Sequence, residues 1–402
     1  GCNNYQFIDK DCDGFVIGGK DAHPTIMTNL VFPPIPELGA DANDNDPTLN
    51  TPASVIARYG DFTNINNFKT YLYDLGYTHT INNVYFVALN GDDQTGQPNN
   101  INRPYRHRPV PGCTPQCCSG PCIEPLIHPG DVVVYRGGTY PEKLDTSASG
   151  YPRYDALQGT ETQPIVLITY PGERVIFTDY YPAFTFNQDT RYTIVDGFEF
   201  DGRISGNTFM REVVGLGGTP LDHVTLKNVD IRNGERWGIF GYGLSGRNYV
   251  TLDNVVIHHI MTEHCLYRND AYSGLETDIG WVISNSLFYA CDGHNIHWRG
   301  GTDFIFENNI LHSSRWNNIE IKNSATNGII RNNLLFNAGR APLVIYEDND
   351  AQREQATGID NILVTQNIFA ARSGSNGVIP DTSASPAVQF AHNRDPSQGH
   401  FV

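Results

Sequence analysis

Six segments in the second half of the chain share one pattern of apolar and polar positions. They are VTLKNVDI (224–231), VTLDNVVI (250–257), VISNSLF (282–288), IFENNIL (305–311), IIRNNLLF (329–336) and LVTQNIF (363–369). Each alternates for a few residues, breaks at an amide and resumes. The amides are Asn228, Asn254, Asn285, Asn308, Asn332 and Gln366, so successive steps are 26, 31, 23, 24 and 34 residues. A step of this length holds a few short strands with their turns, which is one rung of a solenoid. Asn suits a tight corner because it tolerates left-handed backbone angles, and stacked corner amides can bond to one another along the axis.

A second strand follows each corner at a constant offset. Eleven residues on stand Ile239, Cys265, Ile296, Ile319 and Leu343; thirteen on stand Gly241, Tyr267, Trp298, Ile321 and Ile345. Period-2 alternation turns both columns inward, and a one-residue slip would turn them out. The column at fourteen, Tyr242, Arg268, Arg299, Lys322 and Tyr346, is then expected to face outward. Two-residue hairpin signals are missing between the repeats, which argues against an antiparallel sandwich. Upstream, HPGDVVVYRGGTYPEKLDTS (128–147) and QPIVLITYPGERVIFTD (163–179) read as the first coils. Residues 52–76 hold the best helix candidate, around Asn67–Leu75, as a cap on the first coil.

The opening VYFVALNGDDQTGQPNN (84–100), followed by PGDVVVYRGGTY (129–140), resembles the bacterial right-handed parallel β-helix family, which includes many polysaccharide lyases. The resemblance covers roughly residues 82–402. The expected organisation is an Asp-rich head over 1–50, a linker and cap over 51–81, and a right-handed parallel β-helix over 82–402.

Composition narrows the partners. The 402 residues carry 44 acidic and 27 basic side chains, a formal charge of −17, which argues against nucleic-acid binding and suits divalent cations. No apolar run approaches the roughly 20 residues of a membrane span. The chain opens at Gly1 and has eight Cys, and it reads as a processed, extracellular protein. Cys2 and Cys12, and the group Cys113, Cys117, Cys118 and Cys122, are expected in local disulfides; Cys265 and Cys291 read as buried thiols.

In the head, Asp9, Asp11 and Asp13 alternate ahead of Gly14, the first half of an EF-hand-like calcium loop. Lys20 stands where the closing Glu would be. Asp41, Asn43, Asp44, Asn45 and Asp46 form a second oxygen-rich cluster. The stretch resembles thrombospondin type-3 and dockerin-like calcium loops, and GADANDNDPTLNTP resembles MopE-like metal-binding motifs. Calcium is expected over copper, because soft ligands are scarce here.

For function, the end of the chain, VQFAHNRDPSQGHFV, shows no amphipathic helix to cover the last coil. An uncovered coil is a template for another copy, so the first reading is a calcium-stabilised, self-assembling filament or surface-layer component. The alternative is a lyase or glycan-binding module for acidic polysaccharide. By resemblance to β-helical lyases, Lys322 would be the base, Arg299 the acid or charge partner, and Glu320 a neighbour of calcium. Tyr242, Arg268, His297 and Tyr346 are the expected glycan contacts. His258, His259, His264 and His294 fall near turns and read as turn residues.

Overall fold

The computed structural model describes residues 51–108, 127–141, 157–179, 181–186, 189–204, 208–217, 221–242, 249–269, 279–346 and 358–370. It also gives the backbone of short strands at 15–17, 39–41, 144–145 and 388–391. Asp9, Asp11, Asp13, Asn43, Asn45, Asp46 and the six Cys up to Cys122 lie outside the described residues. Asp41 is described by its backbone alone, in a strand Gly39–Asp41 that pairs in parallel with Phe15–Ile17. The fold is a right-handed parallel β-helix, and the chain divides into two compact units.

The first unit comprises residues 1–178, 189–199 and 223–230. Two helices stand before its strands: α1 (Pro52–Tyr59) and α2 (Ile65–Asp74). Thr51 and Ser54 cap α1 reciprocally, Pro52 supplies its first turn, and Gly60, at φ +88°, ends it. Asn64 caps α2 through the amide of Asn66. The one helix expected over Asn67–Leu75 is α2; α1 lies in what read as linker. The pair buries Val55, Phe62, Phe68, Tyr71 and Leu72 against Phe86, Val132, Val134, Val166 and Ile168. These come from parallel strands Val84–Val87, Val132–Tyr135 and Ile165–Thr169, with Arg191–Asp196 next in order. Each buried aromatic contributes about 2–3 kcal/mol, so the helices close the strand edge through burial rather than hydrogen bonds.

The second unit holds residues 179–188, 200–222 and 231–402. One parallel sheet runs β1 (Phe184–Phe186), β2 (Glu212–Gly217), β3 (Trp237–Tyr242), β4 (His264–Asn269), β5 (Ile296–Arg299), β6 (Ile319–Lys322), β7 (Leu343–Tyr346) and β8 (Val388–Ala391). The repeat segments make the other side of each coil, stacking from Val250–Ile260 through to Leu363–Thr365 and Ile368–Ala370. Asn254, Asn285, Asn308, Asn332 and Gln366 take φ of +53° to +58°, the left-handed corner their side chains tolerate. The bonded amide stack belongs to the following residue instead. Asn309 Nδ2 donates to Asn333 Oδ1 at 3.0 Å, and Asn333 Nδ2 to Asn367 Oδ1 at 2.9 Å. In these coils the corners Asn308 and Asn332 are exposed, while their successors Asn309 and Asn333 turn into the coil.

Register corrects one column. Ile296, Ile319 and Leu343 align, as do Trp298, Ile321 and Ile345, all within 1 % of full burial. In β4, however, Leu266 and not Cys265 pairs with Ile296. The amides of Met261, Thr262 and His264 bond the carbonyls of Gly234, Glu235 and Arg236, so Glu263 is one residue extra in the turn. The slip turns Tyr267 outward and Arg268 inward. Cys265 and Cys291 are also not thiols: they form a buried disulfide with Cα atoms 5.6 Å apart. Among the described residues no helix is long and apolar enough to cross a membrane.

Candidate active site

The outward face of β4–β7 carries an unusual load of buried polar groups. Alternation along these strands lifts His297 and Glu320 in one row, and Arg299, Lys322 and Tyr346 in the next. The first residue of β4, His264, and the turns entering β5 and β6, with His294 and Asn317, add to them. His264, His294, His297 and Glu320 are all buried, and the Lys322 side chain is only 12 % exposed. A solvated ladder of long side chains on a strand face would look different: its charges would stand in water.

Glu320 is the hub. Asn317 Nδ2 donates to its Oε2 at 3.0 Å, and His294 Nε2 lies 3.2 Å from the same oxygen. The Tyr346 hydroxyl donates to Oε1 at 3.4 Å, with Lys322 Nζ at 3.7 Å and His297 Nε2 at 3.5 Å. Lys322 Nζ also donates to the Tyr346 oxygen at 3.3 Å. Burial pushes the Glu320 carboxyl up, opposed by the Lys322 charge and the bonds from Asn317 and Tyr346. Burial pushes His264 down to about 3, and His294 and His297 well below their usual value, with neighbouring imidazoles and Lys322 adding to it.

Arg299 stands beside Lys322 in register and donates to the Tyr267 hydroxyl at 3.5 Å. Its Nε is buried without a hydrogen-bond partner, as is His297 Nε2. Aromatic rings border the cluster. Trp237, Phe240 and Tyr267 stack in sequence on one flank, with centroids 4.1 and 5.6 Å apart. Trp316 closes the other flank against His294 at 5.1 Å.

Of the expected site residues, Lys322, Arg299, Glu320, His297 and Tyr346 come together here. Arg268 does not. It is 1 % exposed, lies inward over the Trp298 ring at 4.9 Å, and donates to the Arg299 carbonyl. Gly301 makes room for it, since a Cβ there would meet the guanidinium carbon at 3.0 Å. Tyr242 ends β3 opposite Asn269, and its side chain lies outside the described residues. His264 and His294, read as turn residues, are members of the cluster. Their signal was present: they precede Leu266 and Ile296 by two residues, so correct register stacks them. Calcium does not fit at Glu320, whose oxygens face two imidazoles, an amide, an ammonium and a phenol, whereas calcium takes oxygen ligands.

No known protein family matches the chain, and no curated protein matches it. Among solved structures it is similar to the pectate lyase Pel9A, at 13 % identity and a TM-score of 0.47, over 80 % of each chain. An alginate lyase from Paenibacillus sp. str. FPU-7 matches at 13 % identity and TM-score 0.39, over 62 % of this chain and 93 % of that one. The A-module of the Azotobacter vinelandii mannuronan C-5 epimerase AlgE4 matches at 14 % and 0.37, over 65 % and 82 %. The likeness is one of fold, and no residue role is taken from it.

Proposed function

We propose that this chain is an extracellular enzyme that cleaves an acidic polysaccharide by β-elimination on the face of β4–β7. One observation carries the reading: a shielded Lys322–Tyr346 pair, joined to a buried carboxylate, stands one strand from Arg299. β-Elimination from a uronate needs a cation to neutralise the carboxylate, so that the adjacent carbon gives up its proton. Arg299 has that charge and the planar geometry to hold it. It also needs a base for that proton and an acid for the departing sugar oxygen, and Lys322 with Tyr346 supplies both. The flanking rings of Phe240, Tyr267 and Trp316 suit the apolar faces of sugars.

The self-assembly reading rests on residues 387–402, which, apart from the Val388–Ala391 strand backbone, lie outside the described residues. The buried cluster favours chemistry over that role. The Asp-rich head remains the proposed calcium site, through Asp9, Asp11, Asp13, Asp41, Asn43, Asn45 and Asp46.

The test is a panel of polyuronates incubated with the protein and followed by the ultraviolet absorbance of the unsaturated product. Turnover is expected on at least one, with Lys322→Ala and Arg299→Ala each losing about 10²–10⁴-fold. Binding without turnover would make the chain a glycan-binding module instead. Neither binding nor turnover would remove both readings.

A further inference from the structure

Resting on that reading, we infer that Tyr346 is the base and Lys322 the acid, with Glu320 holding the Tyr346 proton and three imidazoles positioning Glu320. This reverses the role that the sequence suggests for Lys322.

The backbone settles the imidazole tautomers. The His294 amide donates to His264 Nδ1 at 3.1 Å, so in a neutral ring the proton is on Nε2. That Nε2 bonds His297 Nδ1 at 2.9 Å, which leaves the His297 proton on Nε2, 3.5 Å from Glu320 Oε1 without forming a hydrogen bond to it. In parallel, the Asn317 amide donates to His294 Nδ1 at 3.2 Å, so the His294 proton faces Glu320 Oε2. Two amides therefore fix two imidazole N–H groups beside one carboxylate, at 3.2 and 3.5 Å. The low basicity that burial gives all three rings keeps them neutral and in this role.

The same bonds argue against a metal. Nitrogens of His264, His294 and His297 do lie within 4.8 Å of one another. A neutral imidazole that binds a metal through Nε2 must carry its proton on Nδ1, where His264 and His294 instead meet backbone N–H donors. The 2.9 Å between His264 and His297 is also a hydrogen-bond distance, shorter than the roughly 3.4 Å between nitrogens around a tetrahedral zinc.

Glu320 Oε1, the Tyr346 oxygen and Lys322 Nζ form a triangle with edges of 3.4, 3.3 and 3.7 Å. The phenol donates to the carboxylate and accepts from the ammonium, so its proton leaves toward Glu320 and the phenolate is held by Lys322. The phenolate then takes the proton alpha to the substrate carboxylate. The C–H electron pair becomes the new C=C bond, and the C–O bond to the leaving sugar breaks. Lys322 gives a proton to the leaving oxygen and recovers one from Glu320. The net transfer is one proton from carbon to oxygen, with every side chain restored. The charged and titratable groups facing Glu320 are His294 and His297 from β5 and its turn, Lys322 from β6, Tyr346 from β7, and Arg340. His264 stands behind His297.

Nitrogen-15 NMR of the full chain with labelled histidine tests the first half without any need for activity. His264, His294 and His297 are expected as Nε2–H tautomers that do not titrate between pH 7.5 and 5, with shifts unmoved by added zinc. An Nδ1–H tautomer at His264 or His294, or zinc-induced shifts at all three, would overturn the relay. The second half is read by kinetics. Tyr346→Phe and Glu320→Gln should each lower kcat by at least about 100-fold with KM held within threefold, and Glu320→Asp should restore part of the loss. A uronide with a nitrophenyl leaving group, which needs no acid, should recover part of the activity of Lys322→Ala, whose Tyr346 still lacks its ammonium partner, and leave Tyr346→Phe dead. Rescue of Tyr346→Phe alone would reverse the assignment.

Discussion

Two stacks of buried polar side chains run through the second unit, and they differ in completeness. In the amide stack, Asn333 Oδ1 accepts from both the backbone and side-chain nitrogens of Asn309, while its Nδ2 donates to Asn367 Oδ1 and the Phe306 carbonyl. Every hydrogen-bonding position of that amide is used. In the histidine–glutamate cluster, His297 Nε2 and Arg299 Nε are buried with no hydrogen-bond partner. A saturated stack can only hold coils together. An incomplete one retains unfavourable desolvation that a structural role does not explain, and it sits where Lys322 and Tyr346 reach solvent.

The comparison is broken most forcefully by exchanging the two phenotypes. Lys322→Ala should cost the cluster about 10²–10⁴-fold in turnover on a polyuronate, with a melting temperature close to that of the parent. Asn333→Ala should do the reverse, losing about 2–4 kcal/mol in denaturant titration because Asn309 and Asn367 lose their partners, with kcat nearly intact. Equal losses of stability from both would erase the distinction.

Acid sharpens it further. His264, and His312, whose ring stacks between Tyr289 and Phe336 on the repeat side of the coils, have folded values near 3, so below about pH 6.5 the unfolded imidazoles take up protons that the folded ones refuse. Stability is therefore present at neutral pH and lost as pH falls, by roughly 2 kcal/mol for each of the two at pH 5, with His294 and His297 adding in the same direction. Glu320 acts oppositely, since its raised value lets the folded state take a proton first on acidification. Thermal melts from pH 7.5 to 5 check the sign, and His264→Gln should flatten the slope. The smallest effect is expected at Arg268: Arg268→Met should leave polysaccharide affinity within about threefold while lowering stability, because the side chain packs inward on Trp298.

Much of the fold was legible because a corner Asn and an inward apolar column impose separate constraints that agree. Ile296, Ile319 and Leu343 needed nothing more than counting. The count failed where one residue, Glu263, was added in a turn, since strand alternation transmits a single insertion to every side chain after it. That slip hid Arg268 in the core and concealed the stacking of His264 over His294. The helix α1 was missed because eight residues with a Pro and a Ser read as linker until Thr51 and Ser54 are seen to cap it. Lys322, Arg299 and Glu320 were legible as a group by register, but their burial was not, because His264 at the shifted start of β4 and His294 in the turn before β5 close around them.

The most direct test of the account is mass spectrometry of polyuronate digested in heavy-oxygen water. Elimination predicts unsaturated product ends, one water lighter than those of hydrolysis, with no heavy oxygen incorporated. Saturated, labelled ends, or a polymer left intact by the parent chain, would contradict it.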